Sequence, residues 1–195
     1  AYMASMLLRP IDVELSNRLA EIDYESTVTV SLAYPVAAVP RPLDATGYVV
    51  PRRLHRPALA CTWASAKFEG RAPQEYALFR VFLGGAQRAV SVHAPDSELR
   101  TLATGELAEV MGIRDEPVLC RINRFERAMP QYYVGHLKRV EEIEGLTTRV
   151  PGLYLAGAAY GGVGIPDCVR SGERAATRAL HAITEHTSLL VSSRT

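Results

Sequence analysis

Residues Gly161-Gly162-Val163-Gly164-Ile165-Pro166-Asp167-Cys168 carry the strongest chemical pattern in the sequence. Gly161, Gly162 and Gly164 permit positive φ angles and the close approach of a ligand to the backbone. The apolar run Leu153-Tyr154-Leu155-Ala156-Gly157 precedes them, and a helical pattern follows from Pro166. The spacing reads as a buried strand, a glycine-rich turn and a helix. The N–H groups of Val163, Gly164 and Ile165 would then open that helix, where no intrahelical acceptor exists for them. Such a terminus suits an electron-rich or anionic group, with a flavin pyrimidine edge and a phosphate as the two candidates. A tight strand-to-helix connection without a ligand is the plainer alternative.

Other reactive residue types do not assemble. His55, His93, His136, His181 and His186 show no metal-ligand spacing and read as structural or surface residues. Cys61, Cys120 and Cys168 are far apart and form no Cys-x-x-Cys pair. An odd count of distant thiols fits a reducing compartment and buried side chains. No Gly-x-Ser-x-Gly elbow occurs, and Ser171 sits within a helical pattern as a packing residue. Glu141, Glu142 and Glu144 form a solvated run rather than an acid/base pair. This distribution fits chemistry carried by a cofactor, with the protein supplying shape and electrostatics. No Gly-x-Gly-x-x-Gly follows a strand near the start, although a dinucleotide site needs one.

The elements that must position the turn are short. A chain of 195 residues forms one large domain or two small ones. Its net charge of +1 gives no argument for nucleic acid as a partner. Arg52, Arg53, His55 and Arg56 are a local basic cluster, either a solvated loop or an anion contact. No apolar run approaches the roughly 20 residues of a membrane span. No secretory leader is recognisable, and Ala1 to Leu8 reads as the middle of an element, which points to a longer polypeptide.

Asp12 caps a helix over 13–22 whose apolar face is Leu15, Leu19 and Ile22. Alternation predicts strands over 26–34 and 75–83, and shorter strands at 47–51 and 59–63. Residues 35–44 and 66–73 read as loops. A helix covers 98–111, capped by Asp96 or Ser97 and ended by Gly112. A strand over 117–126, a charged helix over 135–144, a doubly covered parallel strand over 153–157 and a helix over 166–185 complete the chain. The fold class is α+β. A mixed, mainly antiparallel sheet with helices fills residues 1–126, and an α/β piece fills 127–195.

The run Leu153 to Ala176, with Gly-Gly-Val-Gly-Ile-Pro-Asp-Cys at its centre, closely resembles the C-terminal signature of the protoporphyrinogen oxidase family, which includes the bacterial coproporphyrinogen oxidases. Further segments agree in order: Tyr24 to Val30, Gly47 to Pro51, Ala64 to Pro73, Phe82 to Gly85, Ala128 to Tyr132, and Gly135-His136. Each is weak alone, and together they span almost the whole chain. The resemblance implies a flavoenzyme of amine-oxidase-like fold, with FAD in a Rossmann-like domain and a porphyrinogen in a mixed-sheet domain. It implies an oxygen-dependent, six-electron oxidation in heme synthesis, with protoporphyrinogen IX or coproporphyrinogen III as substrate and a cytoplasmic or peripheral-membrane location.

Carried over by position, Gly157, Gly162, Val163, Gly164 and Ile165 match the flavin-contacting turn. Gly47 and Val49 match the strand beneath a tetrapyrrole ring, and Thr62 and Phe82 line the same cavity, with Phe82 stacking on a pyrrole. As plain strand residues, Val49 and Phe82 are also candidates for the core. Leu137, after Gly135-His136, stands where some members place a tryptophan near the flavin. Ala158 stands where many members have asparagine, and Phe125 where many bacterial members have tryptophan. The family's Gly-x-Gly-x-x-Gly, ribose-binding acid and substrate-binding arginine belong to a preceding segment. Without that segment the chain should bind FAD weakly or not at all and expose apolar surface that drives association into oligomers.

Two functions follow from the resemblance. One is the C-terminal portion of a porphyrinogen oxidase. The other is a non-catalytic tetrapyrrole- or protein-binding module that needs an N-terminal partner. A related flavin amine oxidase or carotenoid desaturase is disfavoured by Gly162-Val163-Gly164-Ile165-Pro166-Asp167-Cys168. Arg52 and Arg53 are candidate partners for substrate carboxylates.

Overall fold

Alternating apolar residues set the register of the strands that carry the candidate substrate residues. Val28, Val30, Leu32 and Tyr34 fall on one face of β1 (Tyr24–Pro35), and Ala77, Phe79, Val81 and Leu83 fall on one face of β4 (Tyr76–Gly84). The two strands run antiparallel with Val30 opposite Val81 and Leu32 opposite Phe79, so both apolar sets meet on the same side. The computed structural model describes residues 1–85 and 90–192, with side chains described as far as 184; the side chain of His186 therefore lies outside the described residues. Among the described residues the strands form one sheet in the order β2-β3-β4-β1-β5, where β2 is Gly47–Val49, β3 is Ala58–Trp63 and β5 is Leu119–Pro130. β3 pairs antiparallel with both β2 and β4.

One face of this sheet is covered by α4 (Asp96–Met111), which buries Leu99, Ala103, Leu107 and Met111 against the strands. Each of the leucine and methionine side chains taken fully from water contributes roughly 1.5–3 kcal/mol. Gly112 ends α4 in the left-handed region at φ 76°, as its type predicts. The start of α4 differs from the sequence reading. Its N-cap is Pro95, and neither Asp96 nor Ser97 caps it, because both already lie inside the helix as first-turn residues. The predicted loop at 66–73 starts only after Lys67, since Ala64–Lys67 forms a short helix, α3, directly off β3.

The chain divides into two units: Glu25–Met129, and Ala1–Tyr24 together with Pro130–Thr195. The first 24 residues pack with the C-terminal segment rather than with the strands that follow them. Leu8, Leu15, Leu19 and Ile22 share a core with Ile143, Leu146 and Ala159. Helices α1 (Tyr2–Leu8) and α2 (Val13–Ala20) pair here, and α2 packs on α5 (His136–Thr147). Asp12 caps α2, its Oδ1 accepting from Leu15 N–H at 2.9 Å. The sequence showed Ala1 to Leu8 only as the middle of an element, not as a helix, because the seven residues of α1 have neither a capping side chain nor a clear periodicity.

The final helix, α6, spans Ile165–Ser192. The expected strand over 153–157 is absent: these residues are neither helix nor strand, and Leu153 N–H bonds Val150 O in a turn. A parallel strand needs a neighbour to accept its backbone bonds, and no described strand lies in that unit beyond the first residue of β1 and the last of β5. The strand-turn-helix is therefore a turn and helix.

Candidate functional site

In the C-terminal unit, Gly157 and Gly162 have φ angles of 121° and 143°, a region that side chains other than hydrogen rarely enter. A Cβ on Gly162 would come within 2.6 Å of the Asp167 carboxyl, and one on Gly164 within 2.8 Å of Asp167 Oδ2. The two glycines make room for the first-turn acid of α6, whose charge suits the helix N-terminus. Asp167 also pairs with Arg170.

Two of the five proposed flavin-contacting amides are committed within the protein. Gly157 N–H donates to the buried Ser171 Oγ at 3.1 Å, which gives Ser171 a turn-fixing role beyond packing. Gly162 N–H donates to Tyr132 Oη at 3.0 Å, and the Tyr132 hydroxyl donates to Ala158 O at 2.5 Å. The N–H groups of Val163, Gly164 and Ile165 have no acceptor among the described residues. Val163 and Ile165 are exposed, Ile165 to 81%. An electron-rich ring edge therefore fits 163–165, while 157 and 162 hold the turn's shape.

Behind the turn, the Tyr132 and His136 rings stack with centroids 3.8 Å and planes 15° apart. His136 is buried, and neither ring nitrogen has a hydrogen bond among the described residues. Tyr132 and His136 both lie in segments that carry the family resemblance, but their stacking was not legible, since it depends on how the chain turns into α5. A cavity of about 380 Å³ opens between α5 and α6, where Arg178 lies 5.2 Å from the Tyr154 ring.

In the unit Glu25–Met129, the cross-strand partners place the four proposed substrate residues on one face. Gly47 is opposite Thr62, Val49 opposite Ala60, Ala60 opposite Phe82, and Thr62 opposite Arg80. This face is the one turned away from α4. Val49 is 79% exposed and Phe82 half-buried, so neither is a core residue. Gly47 is demanded by the strand itself, for a Cβ there would sit 2.1 Å from Cys61 O. Thr62, Leu78 and Phe82 line a cavity of about 320 Å³. Arg52 and Arg53 lie on the turn after β2, outside its lining.

On the opposite face, Tyr48 points inward and its hydroxyl donates to Glu106 Oε1 at 3.2 Å. Arg56 Nε donates to Glu106 Oε2 at 3.1 Å, and Arg56 Nη1 reaches Glu109 at 2.8 Å. The buried Glu106 carboxylate thus ties β2 and its following turn to α4. Burial pushes the Cys61 thiol up to about 12 and raises the Tyr48 phenol, which Cys61 and Glu106 raise further. Of the three cysteines, only Cys61 is fully buried; Cys120 is exposed because β5 is an edge strand. Among the described residues no group of three His, Cys, Asp or Glu could hold a metal, and no helix is long and apolar enough to cross a membrane.

Residues 1–180 match the family of flavin containing amine oxidoreductases. The chain is 34% identical over 165 residues to coproporphyrinogen III oxidase of Bacillus subtilis (strain 168), covering 84% of this chain and 35% of the relative. It is 36% identical over 180 residues to coproporphyrinogen III oxidase of Propionibacterium freudenreichii subsp. freudenreichii, covering 92% and 34%. The crystal structure of a candidate protoporphyrinogen oxidase from Exiguobacterium sp. 255-15 superposes with a TM-score of 0.72 at 32% identity, covering 85% of this chain and 37% of that one. The chain thus spans about a third of the length of the curated relatives it matches. A match over nearly its whole length, on a mixed helix and antiparallel-sheet fold, means that the chain belongs to the flavin containing amine oxidoreductases.

Proposed function

We propose that the chain is the C-terminal portion of an oxygen-dependent porphyrinogen oxidase of heme biosynthesis. The observation that carries this reading is the exposed turn at 163–165, whose amides have no acceptor among the described residues at the start of α6. The relatives named coproporphyrinogen III oxidase support the substrate class. FAD supplies an acceptor for hydride equivalents, with molecular oxygen as final oxidant. Within this chain, Val163, Gly164 and Ile165 orient the electron-rich ring edge, while Gly157 and Gly162 fix the turn. Gly47, Val49, Thr62 and Phe82 carry the tetrapyrrole, with Phe82 stacking on a pyrrole. The unit Glu25–Met129 is then a substrate-binding portion. The other unit is the C-terminal part of a Rossmann-like FAD-binding domain completed by an N-terminal segment, in a cytoplasmic or membrane-peripheral enzyme.

One observation favours a narrower role for the chain alone. Among the described residues three of the five turn amides remain for a ligand, and the sequence carries no Gly-x-Gly-x-x-Gly to hold a pyrophosphate beside them. The isolated chain should lose flavin on gel filtration. Adding the N-terminal segment of the Bacillus subtilis relative in trans should restore oxidation of coproporphyrinogen III. Gly162→Ala should lower flavin affinity of that reconstituted enzyme about tenfold, since the backbone there costs roughly 1–3 kcal/mol to strain. No oxidation on reconstitution, with both parts folded, would overturn the reading.

A further inference from the structure

The cavity on the open face of the sheet has an apolar floor and a cationic rim. Thr62, Leu78 and Phe82 form the floor, and Lys67, Arg71 and Arg80 stand around it. Among the described residues no acidic side chain lines it. Among the described residues none of the three cations has an ion-pair partner, and all three are exposed, so their charges stand free at the cavity mouth. Phe68 holds two of them in place, with Lys67 Nζ 5.4 Å and Arg71 Cζ 5.3 Å from its ring centroid. Arg80 is fixed by its strand, opposite Thr62 on one side and Ser31 on the other. The three charges thus come from three separate points: the end of α3, the loop after it, and β4.

We propose that this cavity binds a carboxylate-bearing edge of the tetrapyrrole, with Lys67, Arg71 and Arg80 as the carboxylate partners. The inference rests on the porphyrinogen reading above and deepens it. A flat apolar body with anionic arms on flexible stems matches an apolar floor ringed by cations. Guanidinium forks suit carboxylates in particular. The propionate-rich coproporphyrinogen offers this rim more carboxylates than the vinyl-bearing protoporphyrinogen does, so the rim favours coproporphyrinogen. This assigns the role to Lys67, Arg71 and Arg80 in place of Arg52 and Arg53.

The test uses the full 195-residue chain and stable oxidised probes: coproporphyrin III, protoporphyrin IX, and coproporphyrin III tetramethyl ester. Binding is followed by porphyrin fluorescence anisotropy. Coproporphyrin III should bind more tightly than protoporphyrin IX, and the uncharged ester weakest. Lys67→Gln, Arg71→Gln and Arg80→Gln should each weaken coproporphyrin III about fivefold, and the triple variant about a hundredfold, with a flattened salt dependence. The exposed Arg114→Gln should change nothing. If the triple variant keeps native circular dichroism and binds coproporphyrin III as tightly as the unaltered chain, the inference is wrong. Failure of the unaltered chain to bind any probe sinks it too. The oxidase reading fails separately, when the reconstituted enzyme does not oxidise coproporphyrinogen III. Turnover by that enzyme with rates and KM insensitive to the triple substitution would leave the oxidase reading standing and remove the rim.

Discussion

Behind the face that carries the proposed substrate residues, some side chains have neighbours that leave them no alternative. Glu106 is one: its side chain is 2% exposed, and Tyr48 and Arg56 complete it. Removing one member of a buried ion pair strands the other charge. Glu106→Ala should therefore destabilise the unit Glu25–Met129 by about 3 kcal/mol in urea unfolding, and Glu106→Gln by less. Cys61 gives a pH signature. Its folded thiol titrates near 12, above an unfolded value of about 8.5. The unfolded chain loses that proton first, so the stability present below pH 8.5 falls as pH rises toward 12, by up to about 1.4 kcal/mol per pH unit. Iodoacetamide should alkylate the exposed Cys120 well before Cys61, as peptide mass mapping would show. The sequence named Cys61 as a buried thiol and offered Arg56 as part of a basic cluster, a solvated loop or an anion contact, but could not find its partner Glu106, which is 50 residues away and looked like an ordinary surface charge.

Elements with strict periodicity were legible. The inward faces of β1 and β4, the Asp12 cap and the Gly112 stop all follow from local residue types. Asp12→Ala removes the Leu15 N–H acceptor and should cost about 1 kcal/mol, measured as a lowered thermal midpoint. The segment 153–157 was misread for a definite reason. Its continuous apolar run signals burial, but a strand exists only where another backbone accepts its bonds. The glycine turn was legible as a turn. Which of its amides remained free was not, because Tyr132 and Ser171 claim two of them from 30 and 14 residues away. The cationic rim was hidden similarly: Lys67, Arg71 and Arg80 meet only once β3 and β4 pair.

At the scale of the whole chain, the exposed apolar residues of α6 lie in a row. Ile165, Val169, Leu180 and Ile183 recur at helical spacing along one side, with Gly172 and Ala176 between them. Such a stripe favours association. The isolated chain should form oligomers in light scattering at micromolar concentration, and Leu180→Glu with Ile183→Glu should shift it toward monomer. A monodisperse unaltered chain would contradict this.

The chain leaves its first unit at Tyr24 and re-enters it at Pro130, and these two crossings are neighbours, since Gln131 N–H bonds Asp23 O at 2.9 Å. The intervening 25–129 is thus a closed excursion whose two ends emerge side by side. Such a segment can be cut out, circularised through a short linker or grafted between two adjacent strands without stretching its backbone. The remaining pieces, 1–24 and 130–195, could likewise be rejoined by a tight turn.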